Sequence, residues 1–273
     1  MPIIKDYIIK TTLKGIENTV GLFGKELSIG GERGEVTLFM GLPKDMDPAF
    51  QRIYKECRPY TMTSVERMYA LYQATKYIIV QHLPGDFVEC GVWRGGSVML
   101  VAKTLKELGV TDRRIHLFDT FKGMTTPTDR DARISDNLPA TSLWKTQARG
   151  DYNEYAYAPL EDVQRNLSTT GYPEENFVIV AGPVEETLPR LAPPKIALLR
   201  LDTDWYESTK HELEHLFPLL VQNGILIIDD YGHFTGARDA VDEYFKEKGI
   251  NLLLNRVDYT GRLAINTAPQ NNG

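Results

Sequence analysis

Residues 86–265 predict an α/β fold, a mostly parallel sheet covered by helices on both faces. Three observations carry that expectation. Short β-rich runs alternate with helical stretches over the whole span. A glycine-rich turn, "GVWRGG" at 91–96, joins the first core run to a helical one, as the turn of a βα unit does. The last two runs are too close together for a helical crossover, so they pair antiparallel and end the sheet as a hairpin.

Taken in order, a helix starting near Ser64 leads into the first strand, "DFVEC" (86–90). The next stretch, "GSVMLVAKTLKELG", sets Val98, Val101, Ala102, Leu105 and Leu108 at three- and four-residue spacing, with Gly109 as its stop. Strands follow at 114–118, 177–181, 196–201 and 224–229, then at 251–257 and 262–266. Between the fourth and fifth, "STKHELEHLF" carries a Thr209 to Glu212 capping-box pattern before Pro218 disturbs the helix. Two segments lie outside the alternation. Residues 1–60 form an N-terminal extension, and 123–160 form a long insert after the second strand. Loops of this length are lids or disordered segments, and Trp144, Tyr152, Tyr155 and Tyr157 favour a lid.

Composition narrows the function. The 273 residues, 42% hydrophobic and 25% charged, suit one large globular domain with an appended segment. A formal net charge of −6, with no basic runs, argues against a nucleic-acid partner. Cys57 and Cys90 are the only cysteines and lack CxxC spacing, which speaks against a disulfide framework and against thiolate zinc, and fits a reducing cytoplasm. No apolar run of membrane-spanning length appears, so no membrane partner is expected.

The chemistry gathers at the strand ends. The turn glycines, Gly91 among them, let a ligand approach the backbone, and the helix start favours an anionic group. Trp93 stands where a dinucleotide fingerprint needs its second glycine, which counts against NAD. Glu89, just before the turn, is placed to meet an ammonium group. Asp119 ends the second strand and has two readings, acceptor for ribose hydroxyls or cap of the following turn. Asp202 and Asp204 follow the fourth strand, and Asp229 and Asp230 end the fifth. Side by side in a parallel sheet these carboxylates would repel one another, and a hard divalent cation such as Mg²⁺ relieves that repulsion.

The stretches "TMTSVERMYAL", "GDFVECGVWRGGS", "LFDTFKGM", "GPVEETLP", "LLRLDTDWYEST" and "GILIIDDYGHFTGARDAVDEYF" together resemble the TylF/MycF family of S-adenosylmethionine-dependent O-methyltransferases. The likeness covers roughly 60–266. It implies a Rossmann-like class I methyltransferase fold, with a seven-stranded, mostly parallel sheet and an antiparallel C-terminal strand. Residues 61–273 would be the methyltransferase domain; the extension and the insert would form the lid over the acceptor. The resemblance further implies that Thr63, Glu89, Gly91 and Ser97 surround the methionine part of S-adenosylmethionine. Asp119 would take the ribose, and the "GPV" from Gly182 would border the adenine, with Asp202 also at the cofactor. A more distant similarity to catechol O-methyltransferases implies Asp202, Asp229 and Asp230 as Mg²⁺ ligands. Those enzymes place a lysine base where this chain reads Thr203-Asp204-Trp205-Tyr206, so the base is open among Asp202, Asp204 and His233, the last of which also reads as a turn residue. The expected acceptor is a hydroxyl of a sugar-like group on a small molecule or glycan, with a phenolic ring as the alternative, and a homo-oligomer is an expectation of the family. A nucleotide-dependent dehydrogenase or a non-catalytic binding module are the competing classes.

Overall fold

The computed structural model describes residues 25–29, 36–40 and 42–268, and the chain divides into two compact units, Met1–Asp47 and Pro48–Gly273. In the first, strands β1 (Lys25–Ile29) and β2 (Val36–Met40) pair antiparallel. Most of the expected extension lies outside the described residues. Its last part, helix α1 (Pro48–Cys57), belongs to the second unit.

The second unit is built on one seven-stranded sheet. Its strands are β3 (Asp86–Cys90), β4 (Ile115–Asp119), β9 (Phe177–Ala181), β10 (Ile196–Leu201), β11 (Leu220–Ile228), β12 (Asn255–Arg256) and β13 (Arg262–Ile265). They lie in the order β9-β4-β3-β10-β11-β13-β12. The five from β9 to β11 are parallel; β13 runs antiparallel to β11 and to β12. The chain order reverses between β3 and β10, which opens a crevice at their carboxyl ends.

Alternation along the strands sorts the two faces. Val88, Cys90, Leu199, Leu201, Leu226 and Ile228 join Leu213, Leu216, Val241 and Tyr244 in one buried cluster. The last four come from helices α7 (Tyr206–Leu216) and α8 (Thr235–Lys248). The opposite parity, with Glu89 and Arg200 as register partners, faces the other way. Helices α2 (Val65–Val80) and α3 (Gly96–Glu107) pack on each other, and α1 packs on α3. Ser64 caps α2, accepting the Arg67 N–H at 3.2 Å.

Two expectations change. Helix α7 begins at Tyr206, so Thr209 and Glu212 are buried inside it and form no capping box. The Glu212 carboxylate instead accepts from the Thr203 hydroxyl at 3.0 Å. The run at 251–257 pairs only at Asn255–Arg256, because Leu252 and Leu254 pack onto the core cluster. The insert is ordered, with hairpins β5 (Ala132–Arg133)/β6 (Leu138–Pro139) and β7 (Ala148–Arg149)/β8 (Tyr152–Asn153) around helix α4 (Ala140–Gln147). It is fastened to the sheet's carboxyl edge: Trp205 donates to the Thr125 carbonyl at 3.0 Å, and the Ile134 N–H donates to His233 at 2.8 Å. Both cysteines are free and buried. Among the described residues no helix is long and apolar enough to cross a membrane.

Candidate active site

The crevice over the switch point is lined by Thr63, Glu89, Gly91, Ser97 and Asp119. Asp202, Asp204, Asp229, Asp230 and His233 line it as well. An adjoining pocket shares Gly91, Asp119 and Asp202 and continues to Gly182 and Val184. The residues expected at the cofactor and at the acid cluster therefore line two pockets that share part of their walls.

Gly91 explains how two strand ends come so close. Its φ is +78°, and a Cβ there would overlap the Asp202 carbonyl oxygen. Only glycine allows both the left-handed turn and that approach. The Gly91 N–H donates to Phe118 at 2.8 Å, and Asp202 N–H donates to Cys90 at 2.9 Å. Asp119 anchors the same turn from the neighbouring strand. Its Oδ2 accepts the Val92 and Trp93 N–H groups at 2.7 and 3.2 Å, while Oδ1 accepts Phe121 N–H at 2.7 Å. Asp119 is thus a cap for backbone on both sides, and it also faces both pockets. Burial raises its pKa against those amide bonds.

The centre of the site is a side chain that the sequence reading passed over. Arg200, 2% exposed, is the last residue but one of β10. Its Nη1 donates to Glu89 Oε1 at 2.6 Å and to Asp202 Oδ2 at 2.7 Å. Its Nη2 donates to Asp229 Oδ1 at 2.6 Å and to the Thr63 hydroxyl at 3.1 Å. Burial opposes its charge, but the carboxylates of Asp202, Asp229 and Glu89 more than reverse that and hold the guanidinium protonated. The signal was a lone arginine inside "IALLRL", a run otherwise apolar.

Arg200 also separates the four aspartates into two roles. Asp229, expected among the cation ligands, is claimed on both oxygens, by Arg200 on Oδ1 and by Arg67 Nη1 on Oδ2, and Asp204 stands in its place beside Asp202 and Asp230. Arg67 continues to Asp258 at 3.0 Å, tying the start of α2 to the β12–β13 hairpin. One carboxylate oxygen from each of Asp202, Asp204 and Asp230 lies within 4.8 Å of the other two. Asp230 Oδ2 is buried and has no hydrogen-bond partner. Burial, with the neighbouring carboxylates, raises the pKa of Asp202 and of Asp230 well above the ordinary range and pushes Asp204 up to about 7. Burial pushes Glu89 up to about 7 as well, against the pull of Arg200. A crowded all-oxygen set with one orphaned buried atom fits a hard divalent cation.

Above this floor, Tyr155 of the insert lines the crevice, its hydroxyl held protonated by burial and by the nearby Asp204, Asp230 and Asp202. The other insert aromatics turn elsewhere. Trp144 donates to the Met124 carbonyl at 2.9 Å, and the Tyr152 and Tyr157 rings pack 4.6 Å apart. His233 has its Nδ1 3.2 Å from the Tyr259 hydroxyl. Burial, then Arg133 and Arg67, lower its pKa, so the imidazole is neutral near pH 7.

Comparisons with known proteins show the family to which this fold belongs. A family model described as macrocin-O-methyltransferase (TylF) matches residues 54–263. The chain is 33% identical over 208 residues to the 8-demethyl-8-(2,3-dimethoxy-alpha-L-rhamnosyl)-tetracenomycin-C 4'-O-methyltransferase of Streptomyces olivaceus, covering 74% of each chain. It is 32% identical over 204 residues to the mycinamicin III 3''-O-methyltransferase of Micromonospora griseorubida, covering 74% of this chain and 76% of that one. Among solved structures it is similar to the O-methyltransferase NovP, with a TM-score of 0.68 and 31% identity over 77% of this chain and 83% of the other. The calicheamicin methyltransferase CalS11 shares the fold, at a TM-score of 0.57 and 22% identity over 84% of this chain and 99% of the other.

Proposed function

The chain belongs to the macrocin-O-methyltransferase (TylF) family, and from that premise we propose that this S-adenosylmethionine-dependent O-methyltransferase methylates a sugar hydroxyl on a small-molecule natural product, assisted by a divalent cation at Asp202, Asp204 and Asp230. The observation that carries the metal part is the orphaned Asp230 oxygen within that close carboxylate trio. The acceptor class rests on the relatives, whose names specify rhamnosyl-tetracenomycin and mycinamicin substrates.

Bound S-adenosylmethionine supplies the electrophilic methyl group, and a divalent cation supplies Lewis acidity that lowers an alcohol's pKa by several units. The chain's own residues do the rest. Glu89 and Thr63, both fixed by Arg200, receive the ammonium end of the cofactor, beside Gly91 and Ser97. The adjoining pocket at Gly182 takes the adenine. Asp202 spends Oδ2 on Arg200 and lines the crevice as one of the close carboxylate trio, which makes it our first choice to take the acceptor's proton. The neutral imidazole of His233, on the same crevice, favours a second reading in which it is the base. The insert, with Tyr155 facing the acids, closes the acceptor side and excludes water. Holding oxygen, methyl carbon and sulfur in line supplies much of the rate enhancement.

Methyl transfer from labelled S-adenosylmethionine to O-glycosylated and to catechol acceptors tests this reading, with Mg²⁺ and with EDTA. Turnover on a glycosylated acceptor should collapse in EDTA and in Asp202→Asn, while calorimetry still shows cofactor binding. EDTA-insensitive turnover would sink the metal assignment, and activity confined to catechols would sink the acceptor assignment. A loss in His233→Asn as deep as that in Asp202→Asn, with metal binding retained, would move the base to the histidine.

A further inference from the structure

Asp204 has a backbone conformation that few side chains tolerate. Its φ is +66°, and the Trp205 N–H donates across it to the Thr203 carbonyl at 2.7 Å. This is a γ-turn of the rare, strained hand, which persists only where surrounding contacts over-determine it. Helix α7 begins two residues later. Trp205, at its N-cap, offers no side-chain acceptor to the free amides.

The acceptor comes from the insert. Asp131, 1% exposed, takes the Tyr206 N–H on Oδ1 at 2.8 Å. Its Oδ2 takes the Thr128 N–H at 2.7 Å and the Thr128 hydroxyl at 2.9 Å, so the carboxylate is locked from behind. Its carbonyl takes the Ala140 N–H at 2.8 Å, at the start of α4. Helix α8, which follows the Asp230 turn, lies flush against the same group: a Cβ on Gly236 would overlap Asp131 Oδ1. One insert carboxylate therefore meets the segment after Asp204 and the segment after Asp230.

We infer that Asp131 is a positioning residue that caps α7 from outside, holds the strained Asp204 turn, and so sets the spacing of the Asp202, Asp204 and Asp230 carboxylates. The inference rests on the metal reading above. It also gives the insert a second duty, since the wall that faces the acceptor is the part that holds two acids of the cation site in place. A carboxylate at a helix N-terminus suits the task, because its charge complements the free amides there.

A merely structural cap would lower stability without distinguishing between ligands. The full chain should therefore be titrated with Mn²⁺, and separately with S-adenosylmethionine, by calorimetry in the absence of acceptor. Asp131→Ala should weaken Mn²⁺ binding about fivefold or more and change cofactor affinity by less than about twofold. Asp131→Asn keeps an acceptor oxygen for Tyr206 and should restore Mn²⁺ affinity. Gly236→Ala presses on the same oxygen without removing a carboxylate, and it should weaken Mn²⁺ binding even if Asp131→Ala does not fold. Wild-type Mn²⁺ affinity in both alanine variants, or losses equal for Mn²⁺ and cofactor, would overturn the inference alone. Absence of Mn²⁺ binding in the wild type would overturn the metal reading and the inference with it.

Discussion

Arg200 carries a full positive charge into a strand whose other five residues are apolar. A buried guanidinium is stable only where its donors find acceptors, and here three carboxylates and a hydroxyl take the four N–H groups of the two Nη atoms. Removing it would leave Glu89 and Asp229 buried beside each other without a shared counter-charge. Arg200→Met should cost about 3–5 kcal/mol in stability, measured by chemical denaturation. Arg200→Lys should recover only part of that loss, because an ammonium cannot span the fork. The four aspartates were legible as residues because each follows a strand of apolar run. Their division of labour was not, since Asp229 and Asp230 are neighbours in sequence and only the partners brought by Arg200 and Arg67 tell them apart.

At the scale of elements, the Gly91 turn decides whether β3 and β10 can end side by side. Gly91→Ala combines a disfavoured φ with a collision against the Asp202 backbone, so S-adenosylmethionine affinity should fall by at least about tenfold in calorimetry. Gly95→Ala is the control. It has a similar φ of +84°, but its Cβ would meet only side-chain carbons of Val163 and Leu167 at 3.4 Å and beyond. The loss there should be smaller. The glycine turn and the parallel strands were readable from the sequence because period and composition announce them. Two-residue bridges such as Ala132–Arg133 with Leu138–Pro139 have no period to read, so the insert's internal order stayed hidden. The Thr209–Glu212 pattern misled for a related reason: the true cap, Asp131, lies 75 positions before Tyr206 in the chain.

For the whole molecule, the alternation of runs was enough to foresee a seven-stranded sheet, while its order depends on packing that no local pattern records. The buried acids predict how the fold's stability should respond to pH. Glu212 is fully buried, and burial, with Glu185 and Asp202 adding to it, raises its pKa well above 4.5. Glu89 and Asp204 are both pushed up to about 7. Groups with raised folded-state values hold protons that the unfolded chain has already released. Their contribution is full below the unfolded values and is lost as pH rises through the folded ones. Without divalent cations, the denaturation midpoint should therefore decline as pH rises from the ordinary carboxylate range through about 7. Glu212→Gln, which stays neutral, should decline less steeply than the wild type over the same range; an identical slope would count against a protonated Glu212. The Nη1 atom of Arg200 has one more consequence at this scale. Serving Glu89 and Asp202 at once, it would join the proposed cofactor end to the proposed cation end, and whatever one ligand then gained from the other's presence would be returned in equal measure. Replacing Arg200 should then shift the affinity for both ligands together.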